Sequence, residues 1–233
     1  WYFQFTPGDM WDYDEVGTHI LIDGNVAGEP RKLITHSARN GFLYTMDRFN
    51  GQTVLAKPYM QVNWTKGIDQ KTGKPVDYNP NLDLQVYSGI QNQTLENRTR
   101  KLCPSMGGGN NFWPTAYSPR TKLLYIPSLT SCNELTLDPS LSNKAGDWKG
   151  ATFRNIERNE SEIVVTDPFT GDVKKRVHSP YPNNSGVLTT GGGLVFTGTT
   201  DGTFVAFDDT SMDQLWKINL GIGFNAPPMR SEE

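Results

Sequence analysis

One short motif, Asp-x-x-(Asn/Thr)-Gly, recurs along the chain and limits the fold more than any other sequence feature. It occupies residues 47–51, 69–73 and 167–171, and a degenerate copy begins at Asp208. In such a motif the Asp side chain caps a turn through backbone N–H groups, and the Gly adopts the left-handed conformation. The motif therefore predicts hairpin corners. The third and fourth copies lie about one propeller blade apart, since blades run about 40–50 residues.

The segments between these corners have the alternating apolar pattern of β-strands. Examples are residues 122–127 and 193–198, which are short, rich in β-branched or aromatic residues and closed by turn residues. The clearest hairpin runs from Leu194 to Phe207 and contains Asp201-Gly202, a pair that favours a type I′ turn. Long amphipathic helices are missing. The pattern predicts an all-β fold and favours a β-propeller over a β-sandwich, which similar corners would also permit.

The length of the chain limits the number of propeller blades that it can form. At the usual blade period, 233 residues would hold about four to five blades, so residues 1–233 are interpreted as one partial propeller domain. One segment, near 133–161, is polar and weakly periodic. We expect this segment to be an irregular excursion between strands that covers one face of the ring.

Charge and apolar patterning exclude several functional classes. The net charge is −3 and the basic residues form no block, which disfavours nucleic acid and anionic membrane surfaces as partners. No apolar stretch approaches the roughly 18 residues that span a bilayer. The two cysteines, Cys103 and Cys132, form no CxxC motif, so zinc-knuckle and c-type haem sites are not supported. The residues alone leave open whether these thiols are free or bonded.

Two carboxylates near the start of the chain are candidates for metal binding. Asp12 and Asp14 are two residues apart, and in an extended backbone such side chains point to the same side. Their mutual repulsion would be removed by a hard cation, which prefers oxygen ligands. The spacing alone does not distinguish a metal site from a solvated turn.

Longer motifs are more informative about the function of the chain than the spacing of these two carboxylates. The chain contains five runs that resemble, in the same order, segments of PQQ-dependent (quinoprotein) methanol and ethanol dehydrogenases. These runs are WYFQFTPxDxWDY at 1–13, ARNGFLY at 38–44, VNWxKGIDxKTG at 62–73, CPSxGGGNN at 103–111 and GVLTTxGGLVFTG at 186–198. Because these runs are distributed along nearly the whole chain, the resemblance applies to all of it.

The resemblance implies a fold, a reaction and partners. The family fold is an eight-bladed β-propeller, of which this chain would be the second half. The implied activity is oxidation of a primary alcohol to the aldehyde, with PQQ as electron acceptor, a lanthanide or Ca²⁺ as Lewis acid and cytochrome c as the next acceptor. The family is periplasmic, and a homodimer is a further interpretation. The missing N-terminal half would carry the other ligands, so the chain is expected to be inactive alone.

The resemblance also assigns roles to individual residues. Asp12 corresponds to the catalytic aspartate and metal ligand, and Arg39 to the arginine that hydrogen-bonds the quinone oxygens. Asn111 corresponds to an asparagine that contacts PQQ, and Trp113 would line the same pocket. Asn184 replaces a tryptophan found near PQQ in many relatives, so this rim of the cofactor site would be more polar.

The type of metal and the state of the cysteines follow from the same comparison. Calcium members have a small residue two positions after the catalytic aspartate, whereas lanthanide members have Asp there. Asp14 therefore indicates a lanthanide site, because a trivalent ion needs an additional negative ligand; a calcium site with Asp14 outside the ligand set is the alternative. Cys103 and Cys132 correspond to a structural disulfide, which the periplasm permits.

One interpretation from another functional class stays open. A periplasmic propeller scaffold could keep this fold and bind no cofactor, but it would have no reason to retain Asp12, Arg39 and Asn111 together. The three histidines, His19, His36 and His178, show no ligand spacing and are interpreted as structural or surface residues.

Overall fold

The computed structural model describes residues 1–83, 85, 87, 96–141 and 150–229. Across these ranges the chain forms fifteen β-strands and a single 3₁₀ turn at Pro139–Leu141, with no α-helix. The strands are β1 (His19–Val26), β2 (Glu29–Ser37), β3 (Phe42–Asp47), β4 (Thr53–Pro58), β5 (Thr99–Leu102), β6 (Ala116–Ser118), β7 (Leu123–Leu129), β8 (Asn133–Leu137), β9 (Ala151–Asn155), β10 (Ser161–Thr166), β11 (Val173–Ser179), β12 (Val187–Thr189), β13 (Leu194–Gly198), β14 (Thr203–Asp208) and β15 (Gln214–Asn219). None of the described residues belongs to a helix long and apolar enough to span a membrane.

The strands form three four-stranded antiparallel sheets and one smaller sheet. The strand orders are β1-β2-β3-β4, β11-β10-β7-β6 and β12-β13-β14-β15, and β5-β8-β9 form a three-stranded sheet. Four-stranded antiparallel sheets that follow one another along the chain are the blades of a propeller. The all-β propeller prediction is confirmed. The described residues contain three such blades rather than four to five, because β8 and β9 are inserted within the second blade and few strands lie between β4 and β6.

Apolar faces of neighbouring blades pack against each other. Leu43 and Leu55 of the first blade form one buried cluster with Leu124, Ile126 and Val164 of the second. A second cluster joins the second and third blades, with Tyr125 and Ile163 against Val195 and Val205. Each blade therefore buries apolar surface that it cannot bury alone. This explains why apolar and polar side chains alternate along the strands.

All four copies of the Asp-x-x-(Asn/Thr)-Gly motif form the predicted corner. In each copy the Asp carboxylate accepts the N–H two residues ahead, and the Asp carbonyl accepts the N–H four residues ahead. The glycines have positive φ, as at Gly51 (+74°). In the degenerate copy Met212 takes this conformation with φ +56°. The local capping bonds thus preserve the corner even without glycine.

The turn of the 194–207 hairpin differs from its prediction. Strands β13 and β14 pair antiparallel, with Val195 opposite Phe207. The type I′ prediction is wrong, because Gly202 has φ +91° whereas Asp201 does not have positive φ. A longer turn closes the hairpin: Gly202 donates its N–H to the Thr199 carbonyl at 3.1 Å. The Asp201 carboxylate accepts hydrogen bonds from the hydroxyls of Thr199 and Thr203, which stabilises this alternative.

The segment near 133–161 is more regular than expected. Strands β8 and β9 pair with each other, and β8 also pairs with β5; residues 142–149 lie outside the described residues. The sequence pattern does not reveal β9, because none of its side chains is fully buried and no apolar alternation is required. This sheet stands beside the blades as an addition to the second one.

Cys103 and Cys132 form a disulfide at the base of this added sheet. Both residues are buried, Cys103 directly after β5 and Cys132 directly before β8. The disulfide that the resemblance implied is therefore present in the structure.

Replacing both cysteines with Ala should lower the free energy of unfolding by about 2–4 kcal/mol, because the unfolded chain would no longer be cross-linked across 29 residues. Denaturant unfolding of the oxidised protein and the double variant measures this difference. The wild-type protein in reductant is the control for the lost bond. Equal unfolding midpoints for all three samples would contradict the prediction.

Candidate active site

A tight turn at residues 9–14 presents the first acidic candidate. The Asp9 carboxylate accepts the backbone N–H groups of Trp11 at 2.8 Å and Tyr13 at 2.6 Å. Burial raises the pKa of Asp9, while these two hydrogen bonds act in the opposite direction. Trp11 and Tyr13 are both 1% exposed and pack on Trp64. Two buried aromatic anchors therefore flank Asp12, whose side chain is 49% exposed.

Asp12 and Asp14 converge, although not through the backbone that the sequence predicted. The expectation of an extended segment is wrong, because Asp12 has φ +66° in the left-handed region. Asp tolerates this region better than most residues, and the Asp9 bonds on either side hold the turn. Both carboxylates nevertheless reach one guanidinium: Asp12 Oδ2 lies 2.9 Å from Arg39 Nη2, and Asp14 Oδ2 lies 3.7 Å from Arg39 Nη1.

The backbone around Arg39 is held by segments distant in sequence. The Arg39 N–H donates to Glu15 Oε2 at 3.1 Å, and the Arg39 carbonyl accepts the N–H of Gly109 at 2.9 Å. The next carbonyl, of Asn40, accepts the indole N–H of Trp64 at 2.8 Å. This corner between β2 and β3 is therefore fixed by the 9–15 turn, by the glycine run 107–109 and by the aromatic core.

The Arg39 side chain lies almost buried, with 8% of its surface exposed. Its Nη2 donates to the Met106 carbonyl at 2.8 Å as well as to Asp12, while its buried Nε has no partner within the part of the chain that the structure describes. Gly108, with φ +79°, packs directly against it: a Cβ there would lie 2.9 Å from Arg39 Cβ. Sequence reasoning missed Met106 and Gly108, although three consecutive glycines were a signal of close backbone approach.

The charges of this cluster favour a cation. Asp12 and Asp14 bring two carboxylates to one guanidinium, so negative charge is in excess on the exposed side. Carboxylate oxygens are ligands of Ca²⁺ and similar hard cations. Within the described ranges no three His, Cys, Asp or Glu side chains are arranged to hold a metal ion. The pair therefore fits a hard cation as two of its ligands, and other oxygens would have to complete the shell.

Asn111 lies beside this cluster, but its amide is used locally. Asn111 Nδ2 donates to the Gly107 carbonyl at 2.9 Å, and its Oδ1 accepts the N–H of Phe112. A Cβ at Gly17 would lie 3.1 Å from the Asn111 carbonyl, which places this residue next to the segment that follows the 9–14 turn. The glycine run thus brings Asn111 and Arg39 into one neighbourhood.

The other two cofactor candidates, Trp113 and Asn184, form hydrogen bonds with other groups. Trp113 is 5% exposed and donates its indole N–H to the Pro127 carbonyl at 2.9 Å, as a core residue does. Phe112, in contrast, is 59% exposed. Asn184 lies in the loop before β12 and donates to Asn225 Oδ1 at 3.4 Å. No hydrogen bond joins Trp113 or Asn184 to Asp12, Asp14 or Arg39 among the described residues.

Comparison with known proteins places this cluster in a broader context. A family model described as "PQQ: Glucose/ethanol/alcohol dehydrogenase, beta-propeller domain" matches residues 1–74, which include Asp12, Asp14 and Arg39. The chain is 34% identical over 241 residues to a quinohemoprotein alcohol dehydrogenase of Comamonas testosteroni, covering 98% of this chain and 32% of that protein.

Two lanthanide-related proteins are similar to the chain as well. A lanthanide-dependent methanol dehydrogenase of Methylacidiphilum fumariolicum (strain SolV) is 33% identical over 98% of this chain and 37% of its own length. The solved structure of a europium-containing methanol dehydrogenase superposes with a TM-score of 0.80 at 31% identity, over 97% of this chain and 38% of that one. The chain thus spans about a third of the length of these relatives, less than the expected half.

Proposed function

The chain belongs to the family of PQQ-dependent alcohol dehydrogenases, and we propose that it carries the catalytic aspartate of an enzyme that oxidises a primary alcohol to the aldehyde. One observation carries this proposal: the half-exposed Asp12 carboxylate lies 2.9 Å from the buried Arg39 guanidinium, beside Asp14. An acid and a fixed cation at one spot suit a reaction that removes a proton and builds negative charge. A scaffold without a cofactor would not need this pair.

Asp12 would act on the alcohol. Its exposed carboxylate would accept the hydroxyl proton, or hold the hydroxyl by a hydrogen bond. The contact with Arg39 Nη2 keeps the carboxylate oriented, because the guanidinium is itself held by the Met106 carbonyl. Bound PQQ would supply the two-electron acceptor, and the metal ion would supply Lewis acidity.

Arg39 would bind the cofactor. Its Nε is buried and has no acceptor among the described residues, so one donor of this guanidinium is left unused by the protein groups described. The guanidinium presents N–H groups in one plane, which suits adjacent quinone oxygens. Asn111, which follows the glycine run that packs against Arg39, would contact the cofactor at a second point, and Trp113 and Asn184 would form other parts of its pocket.

The metal would bind to Asp12 and Asp14. Two neighbouring carboxylates supply more negative charge than one, which suits a trivalent ion better than Ca²⁺. The similarity to a protein named lanthanide-dependent supports this choice. We therefore propose that the bound metal is a lanthanide ion. If Asp14 were not a ligand, reconstitution of the apo-protein would instead give activity supported by Ca²⁺.

The remaining elements of the proposal are the electron acceptor and the compartment. Cytochrome c would reoxidise the cofactor, and the protein would act in the periplasm. The buried Cys103–Cys132 disulfide supports an oxidising compartment. Recovery of the protein in the periplasmic fraction of its source cells, with the disulfide formed, would test this location.

Arg39→Lys should lower turnover about ten-fold or more, and should lower turnover more than stability, because a compact ammonium cannot replace a planar donor toward two adjacent oxygens. Steady-state alcohol oxidation and the PQQ content of the purified full-length protein provide the measurement. Arg48→Lys is the matched control, since Arg48 forms an ion pair with Asp23 away from the site. Unchanged kinetics with normal PQQ content in Arg39→Lys would rule out contact between Arg39 and the quinone.

A further inference from the structure

A buried acid–histidine pair lies behind Arg39. Glu15 Oε2 is 2.7 Å from His36 Nε2, and the side chains are 11% and 0% exposed. The other ring nitrogen, Nδ1, lies 3.1 Å from the carbonyl of Thr18. Both ring nitrogens of His36 therefore lie within hydrogen-bond distance of an oxygen, and the Glu15 carboxylate is held against the ring inside the fold.

This pair is connected to Arg39 through one atom. Glu15 Oε2, the oxygen that faces His36, also accepts the backbone N–H of Arg39. The other oxygen, Oε1, is buried, and no described residue forms a hydrogen bond with it. A carboxylate that leaves one oxygen unsatisfied while the other receives two hydrogen bonds is costly to bury. Hydrophobic packing does not require such an arrangement, so a functional reason is indicated.

The surroundings hold His36 in a single orientation. The ring of His19 on β1 stacks on that of His36, with centroids 3.9 Å apart and planes 3° apart. The Phe5 ring lies 5.0 Å from that of His36, and a Cβ at Gly17 would lie 3.2 Å from His36 Cε1. These contacts restrict the orientation of the His36 ring, which in turn holds Glu15 in place.

From these contacts we propose that Glu15 is a positioning residue for Arg39, and that His36 acts with it. Glu15 Oε2 anchors the Arg39 backbone from one side, and the Gly109 N–H anchors it from the other. These two bonds fix the position of the Arg39 backbone, from which the guanidinium reaches Asp12 and Asp14. This inference rests on the proposed function, because it assumes that Arg39 binds PQQ.

A double-mutant cycle tests this role. Binding of PQQ to the full-length apo-protein is followed by quenching of tryptophan fluorescence, for Glu15→Ala in the wild-type and in the Arg39→Lys background. Residues that act through one another have non-additive effects. We expect Glu15→Ala to raise the dissociation constant of PQQ about ten-fold in the wild-type background and less than about two-fold in the Arg39→Lys background. Glu15→Gln keeps an oxygen for the Arg39 N–H and should recover most of the affinity.

Two further variants keep the test decisive. Glu160→Ala is the matched control, since Glu160 pairs with His178 at 2.8 Å on the exposed surface, and it should leave PQQ binding unchanged. His36→Asn retains a donor near the Nδ1 position but loses Nε2. It should weaken PQQ binding with the same dependence on Arg39, so the cycle can be completed even if Glu15→Ala does not fold.

The possible outcomes separate the two proposals. A loss of about ten-fold that is confined to the wild-type background supports the positioning role. Equal factors in both backgrounds, for Glu15→Ala or for His36→Asn, would show that the pair acts independently of Arg39 and would overturn it. If Arg39→Lys itself leaves PQQ binding unchanged, the proposed function of Arg39 fails and the inference fails with it.

Discussion

Asp12→Ala is expected to lower the rate of alcohol oxidation about 10²-fold to 10⁴-fold with any metal, because the change removes the proposed base and a metal ligand together. Asp14→Ala should abolish activity supported by La³⁺, since the remaining oxygens carry too little negative charge for a trivalent ion. The same change should leave or create weak activity with Ca²⁺. The measurement is alcohol oxidation by full-length apo-protein reconstituted with PQQ and either La³⁺ or Ca²⁺.

An exposed carboxylate outside the site provides the control for these variants. Asp23 pairs with Arg48 at 3.1 Å and is 63% exposed, so Asp23→Ala removes a carboxylate of similar exposure and should retain activity with the same metal. Full La³⁺-supported activity in Asp14→Ala, or a wild-type protein that responds only to Ca²⁺, would refute the lanthanide assignment. Activity in Asp12→Ala would refute the assignment of the base.

Gly108→Ala is expected to weaken PQQ-supported turnover about 10-fold to 100-fold, although the added group is a single methyl. The Cβ would lie 2.9 Å from Arg39 Cβ and 3.0 Å from both Arg39 Cγ and the Arg39 carbonyl. Backbone atoms cannot yield as a flexible side chain can, so the Arg39 corner must shift. Displacements of this size in a binding group are sufficient for such losses.

Gly28→Ala separates this contact from backbone strain. Gly28 has φ +87°, similar to φ +79° at Gly108, and a Cβ there would meet nothing within 4 Å. Both variants carry the left-handed penalty of about 1–2 kcal/mol, but only Gly108→Ala presses on Arg39. Thermal unfolding and turnover of the two variants should therefore diverge: Gly108→Ala should lose more stability than Gly28→Ala, because of the added contact with Arg39, and the loss of turnover should be confined to Gly108→Ala. Equal turnover in both variants would show that the contact has no functional importance.

Features governed by short-range contacts were predictable from the sequence. The Asp-x-x-(Asn/Thr)-Gly corners formed in all four copies, because the Asp carboxylate bonds to an N–H only two residues ahead. The hairpin at 194–207 also formed, but the predicted turn type was wrong, because the hydroxyls of Thr199 and Thr203 bind the Asp201 carboxylate and stabilise a different turn. Side-chain bonds of this kind are not visible in the apolar pattern.

In the site too, some features were predictable from the sequence and others were not. The run at 1–13 pointed to Asp12, the spacing of the two carboxylates pointed to Asp14, and the run at 38–44 pointed to Arg39. The structure brings these three side chains together. The sequence did not reveal that Asp12 would take positive φ, because that conformation depends on the Asp9 carboxylate and on two aromatic side chains buried against Trp64. It also did not reveal Glu15 and His36, which belong to no recognised motif.

By itself, the sequence determined the all-β fold, the blade corners and the identities of the acidic pair and its arginine. Each of these depends on alternation along a strand, on contacts within a few residues or on a long motif. The tertiary structure alone decided how the arginine is held, because its anchors come from three separate segments: the Glu15 carboxylate, the Gly109 N–H and the Trp64 indole that binds the neighbouring carbonyl. Hydrogen bonds between distant segments form only where packing of the blades brings the partners together, and no local pattern records that placement.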